Sequence, residues 1–145
     1  MSKLLLLDIS GIIHRVFHSI DVNKFRRSSD NLPTNAIYGC LRILINLNKK
    51  FKDYTFIACL DNKRDTLWRK KLSPSYKQNR SNINNELAIQ FQHIEHMLKC
   101  LNISTYKIES YEADDVMASI CYQHQDKEII VASSDKDMIQ LLSFK

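Results

Sequence analysis

At 145 residues, with 44% apolar and 26% charged residues, the chain has the make-up of one globular domain and is long enough to bury a real core. Its 21 Lys and Arg against 16 Asp and Glu give a formal charge of +5 and a pI of about 9.0, a balance that favours a polyanionic partner without requiring one. Cys40, Cys59, Cys100 and Cys121 lie far apart in apolar stretches with no C-x-x-C pair, which argues against a zinc or disulfide framework and for reduced, buried thiols. Leucines 4–7 are cut short by Asp8, too few for a signal peptide or a membrane span, so a cytoplasmic location is expected.

In chain order, Lys3–Asp8 is an apolar run ending in an acid, the profile of a strand buried on both faces. Pro33 stands near the start of the next element, a helix along which Ile37, Leu41, Leu44, Leu47 and Phe51 recur at helical spacing. Residues 54–60 read as a second strand, again followed by an acid, Asp61. Residues 62–85 turn polar and basic, with Pro74 among them and no sustained apolar period. Leu87, Phe91, Ile94, Leu98 and Leu101 mark another helix, and residues 104–108 a short third strand. Glu112 opens a helix whose apolar face is Ala113, Val116, Met117, Ile120 and Cys121. Glu128–Ala132 is a fourth strand, followed by acids and a helical start through Met138, Leu141 and Leu142. Strands alternating with helices predict an α/β domain around a mostly parallel sheet. Gly11 and Gly39 are the only glycines, which excludes a Gly-rich phosphate loop.

The informative feature is where the acids fall. Asp8 and Asp61 end the first two strands, Glu112, Asp114 and Asp115 follow the third, and Asp135 and Asp137 follow the fourth. In a parallel sheet these carboxylates share one edge, where open α/β sheets place their ligands. Two unit charges 4 Å apart cost about 4 kcal/mol at an effective dielectric near 20, so crowded carboxylates call for a compensating cation. Oxygen ligands without His or Cys select Mg²⁺ or Mn²⁺ over Zn²⁺. Taken singly, each acid is better explained as a turn former, a helix cap or a first-turn charge; acids at all four strand ends favour a metal site. The segment after Asp61 adds Lys63, Arg64, Arg69, Lys70, Lys71, Lys77 and Arg80, interleaved with Trp68 and Tyr76. Cations there suit phosphates and aromatic faces suit bases, whereas the plain alternative is a solvated surface loop. His14, His18, His93, His96 and His124 make no ligand pattern, and Ser133 and Ser134 lack a histidine partner for a hydrolase triad.

The stretches "LLLLDISGIIHRVFHS", "IACLDNKRDTLWRKKLSPSYKQNR", "YEADDVMASI" and "VASSDKDMIQLLS" occur in the order found in 5′→3′ exonucleases. From residue 3 to residue 143 the chain resembles the N-terminal, PIN-like (resolvase-like) domain of that family, whose members include the 5′ nuclease domain of bacterial DNA polymerase I and phage flap endonucleases. The resemblance implies a three-layer α/β fold and divalent-metal-dependent hydrolysis of DNA phosphodiesters at 5′ ends and flaps, with two Mg²⁺ or Mn²⁺ ions in the complete enzyme. It implies metal binding by Asp8, Asp61, Glu112, Asp114, Asp115, Asp135 and Asp137, with Asp61 and Asp115 counted among the catalytic residues. Residues 62–85 would form a basic arch in which Lys77 and Arg80 lie near the scissile phosphate. Arg15, Lys63, Arg69, Lys70 and Tyr76 would be DNA contacts.

Three departures stand out. Ile9 and Ser110 replace glycines usual in the family, and the chain stops at Lys145, where relatives continue into a G-D-x-x-D-N segment and a helix-three-turn-helix domain. A C-terminal domain or partner chain supplying the remaining metal ligands is therefore expected. Three rival readings stand beside the nuclease: a DNA-binding module without efficient cleavage, separated from it by metal-dependent turnover; a PIN-type ribonuclease, separated by DNA-versus-RNA preference; and a non-nuclease α/β phosphotransfer domain, disfavoured because no acid is singled out from the cluster.

Overall fold

The computed structural model describes residues 3–62, 66–76, 78 and 83–144. Its strands are β1 (Lys3–Asp8), β2 (Tyr54–Cys59), β3 (Ser104–Tyr106) and β4 (Glu128–Ala132). They form one all-parallel sheet in the order β3-β2-β1-β4. Lys3 sits opposite Tyr54 on one side and Glu128 on the other, so β1 is the central strand. Leu5, Leu6 and Leu7 are completely buried because both faces of that strand are covered.

The two-residue alternation of β1 divides the core. Leu5 and Leu7 pack with α1 (Ile9–Ser19), α2 (Asn35–Lys50) and α4 (Asn85–Cys100), burying Ile13, Val16, Cys40, Leu44, Ile94 and Leu98. Leu4 and Leu6 face the other way, onto Ala113, Val116, Met117 and Cys121 of α5 (Ala113–Gln123). Met138 and Leu141, from a closing 3-10 helix (Lys136–Phe144), join that second core. The result is a three-layer α/β domain.

Several details differ from the sequence reading. Helix α1 was not anticipated, although Ile9, Ile12, Ile13, Val16 and Phe17 make an apolar stripe at helical spacing. It begins directly after β1 because the Asp8 carboxylate folds back to accept the Gly11 N–H at 2.8 Å. A Cβ on Gly11 would lie 2.3 Å from Asp8 Oδ2, so the residue must be small there. Gly39 serves the packing of α2 on α1, since a Cβ would meet Val16 Cγ1 at 2.0 Å. The basic segment, read as lacking periodic structure, contains the short helix α3 (Trp68–Leu72). Strand β3 ends at Tyr106, and the closing helical segment is 3-10. Cys100, expected to be buried, is exposed at the end of α4, while the other three thiols are buried. Burial pushes Cys40 and Cys59 up to about 12, which leaves them as unreactive thiols at neutral pH. No helix among the described residues is long and apolar enough to cross a membrane.

Candidate functional site

Because the strands are parallel, β1, β2 and β4 deliver Asp8, Asp61 and the 133–137 turn to one edge of the sheet, and α5 begins at that same edge. Glu112 is the N-cap residue of α5 and is only 4% exposed. Asp115, three residues on, returns a carboxylate oxygen to the Glu112 N–H at 3.1 Å, completing a reciprocal capping box. Asp61, from the end of β2, accepts the Ala113 N–H at 2.8 Å. With Asp114 in the same turn, four carboxylates attend the start of α5, where the helix dipole favours negative charge.

Glu112, Asp114 and Asp115 present ligand oxygens within 4.8 Å of one another, the one such acidic set among the described residues. These oxygens could hold a hard divalent cation. Burial, reinforced by the charges of Asp115 and Glu112, pushes the Asp114 carboxyl above its ordinary value. Burial acts the same way on Asp115, but there the paired Arg69 guanidinium and the Glu112 amide more than offset it and hold the carboxyl below the usual range. Arg69 donates to Asp115 through two nitrogens, each at 2.6 Å, and to Glu112 Oε2 at 3.1 Å. The Tyr76 hydroxyl donates to the same Glu112 oxygen at 2.9 Å.

The remaining acids lie on the same edge but do not converge into that set. Asp61 is engaged at the start of α5, Asp8 by both its own turn and a distant serine, and Asp135 within its own turn. Asp8 Oδ2 accepts the Ser133 hydroxyl at 2.7 Å, and Ser133 Oγ in turn accepts the Asp135 N–H at 3.0 Å. Asp135 accepts the Asp137 N–H at 2.9 Å, and both side chains are exposed. The expected crowding of all seven carboxylates is thus corrected to one tight trio with four satellites. Arg15 is exposed on α1, and Lys70 is half-buried on α3. Lys63, Lys77 and Arg80 lie outside the described residues. Two hydroxyls escaped the sequence reading. Ser10 accepts the Asp61 N–H at 2.9 Å, and Ser133 joins β1 to the turn after β4. A serine carries no periodic signal, so only the fold reveals either role.

A three-layer domain with a parallel sheet and acids at its carboxyl edge defines a resolvase-like α/β class. The chain belongs to the 5′-3′ exonuclease family: residues 3–145 match its N-terminal resolvase-like domain. A 5′-3′ exonuclease of Buchnera aphidicola subsp. Acyrthosiphon pisum (strain APS) is 42% identical over 114 residues, covering 77% of this chain and 40% of that protein. A 5′-3′ exonuclease of Aquifex aeolicus (strain VF5) is 34% identical over 145 residues, covering 99% of this chain and 49% of that protein. The chain thus spans less than half the length of either relative. Among solved structures, a T5 flap endonuclease in complex with DNA and metal ions shares the fold, with a TM-score of 0.62, 22% identity, and coverage of 92% of this chain and 49% of that one.

Proposed function

We propose that this chain is the nuclease domain of a divalent-metal-dependent 5′→3′ exonuclease and flap endonuclease, hydrolysing DNA phosphodiester bonds in the cytoplasm. The observation that carries the reading is the trio Glu112, Asp114 and Asp115 at the carboxyl edge of the sheet, within 4.8 Å of one another and faced by basic and aromatic side chains of the segment after Asp61. The trio would hold the first cation, Mg²⁺ or Mn²⁺. Asp8, Asp61, Asp135 and Asp137 stand beside it as further ligands, directly or through water. Bound there, the metal supplies water activation and charge stabilisation at the phosphodiester.

The chain's own residues supply the rest. Ser133 and the Gly11 amide fix the two oxygens of Asp8, and Ser10 with the Ala113 amide fixes Asp61, so both acids are pre-oriented. Arg69, Lys70 and Tyr76 stand in the segment that would face the DNA backbone, with Lys63, Lys77 and Arg80 in the same stretch of sequence. Arg15 on α1 adds a cation beyond Asp8. A DNA with a free 5′ end or 5′ flap is the proposed substrate. A further domain or partner chain would complete the ligand set, in keeping with the greater length of the relatives.

The test is cleavage of a 5′-labelled flap DNA by the 145-residue chain with Mg²⁺, Mn²⁺ or EDTA. Metal-dependent release of short 5′ products is expected, with a loss of at least about 100-fold on Asp115→Ala. Undiminished cleavage by that variant would sink the proposed site. DNA binding without cleavage by the wild-type chain would leave a binding module in its place.

A further inference from the structure

A side chain already occupies the acidic trio as its cation. Arg69 spans both oxygens of Asp115 and one of Glu112, while Tyr76 donates to that same Glu112 oxygen. The guanidinium carbon lies 4.8 Å from the Trp68 ring and 6.0 Å from the Tyr76 ring, so aromatic faces flank the ion pair. The Trp68 N–H donates to the Ser110 carbonyl at 3.0 Å, tying the start of α3 to the turn before α5.

The geometry points to a latch. Without metal, Arg69 closes α3 over Glu112 and Asp115; a divalent cation taking those carboxylates displaces Arg69 and releases the segment. This rests on the metal-centre reading above. A guanidinium engaging both Asp115 oxygens and one of Glu112 competes with a divalent cation for those ligands, and their like charges repel at that range. Metal binding then selects the fraction of molecules in which Arg69 is away, and the apparent affinity falls in proportion to that fraction. Displacement also returns a cation to the rim of the site, where a phosphate approaches. By linkage, whatever holds Arg69 away strengthens metal binding by the same factor.

The test is a Mn²⁺ titration of the whole chain without DNA, followed by heat and by emission of Trp68, the chain's single tryptophan. If the latch is closed about nine-tenths of the time, Arg69→Gln binds Mn²⁺ about ten-fold tighter than wild type. Wild-type Trp68 emission should shift as metal binds, and that shift should be largely absent in Arg69→Gln. Arg69→Lys keeps the charge but loses the two-pronged contact, so its affinity should move toward that of the Gln variant. The latch is overturned if Arg69→Gln stays within about two-fold of wild type. It is equally overturned if Arg69→Lys matches wild type while only the Gln variant tightens, or if Trp68 emission is flat while the heat shows binding. Should neither wild type nor variants take up Mn²⁺, the metal-centre reading itself fails. Metal uptake that ignores Arg69 would remove the latch alone.

Discussion

Ser110 has a backbone φ of 68°, the left-handed region where a Cβ crowds the neighbouring carbonyl. Glycine alone takes that conformation without a steric penalty. Ser110→Gly removes the strain while giving the unfolded chain more freedom, for a net gain of about 0.5–1 kcal/mol. A thermal melt should show the midpoint rising by roughly 2–4 °C; a fall would mean that the Ser110 side chain makes a contribution larger than the strain. Asp114 gives a second prediction at this scale. Its folded pKa is raised, so at neutral pH its charge costs stability in the metal-free protein, and the cost is relieved as pH falls through that raised value. In EDTA, Asp114→Asn should therefore melt higher than wild type at pH 7, with the advantage fading by about pH 3 as the carboxyl protonates in both states. An advantage that persists unchanged at low pH would show that charge is not its source.

Between elements, the join of α1, α2 and α4 is polar and completely buried. Asn35 donates to the Phe17 and Ile20 carbonyls at the end of α1, at 3.0 and 2.9 Å. Gln90 of α4 accepts the Ala36 and Ile37 N–H groups at the start of α2, at 2.8 and 3.3 Å, and donates to Asn35 at 2.9 Å. One amide pair thus serves the end of α1 and the start of α2, whose N-cap residue Thr34 makes no side-chain capping bond. Gln90→Leu would strand those donors in the core and should cost about 2–4 kcal/mol in urea unfolding. A change below about 0.5 kcal/mol would mean that water replaces the glutamine. None of this was legible in the sequence, where Gln90 and Asn35 look like ordinary polar residues of two helices. Their partners lie on other elements, and tertiary pairing leaves no periodic trace. Helix α1 was legible in principle from the stripe Ile9, Ile12, Ile13, Val16 and Phe17, but it follows β1 with no intervening turn residues to mark its start.

For the whole molecule, the sheet could be read because β1, β2 and β4 are apolar runs that lead into an acid or a polar turn with acids, while β3 is only the short stretch Ser104–Tyr106. The closeness of Glu112, Asp114 and Asp115 is local, fixed by the first turn of a helix, and so it too could be read. What could not be read is which distant acids join them, since that depends on hydroxyls such as Ser133 reaching Asp8 across the sheet. Arg69 illustrates the same limit: its sequence context suggests a phosphate contact, and the fold sets it against carboxylates.

The central place of β1 also governs how the domain can be made. Its register partners begin at Tyr54 and at Glu128, the second about 125 residues further along the chain. During synthesis the leucines of β1 emerge early, yet one whole edge of the strand stays unpaired until β4 has left the ribosome. At about 5–20 residues per second, that is a wait of roughly 6–25 seconds. Through that interval the most apolar stretch of the chain stands as an open template, so the segment that becomes the most buried is also the one in greatest need of a chaperone.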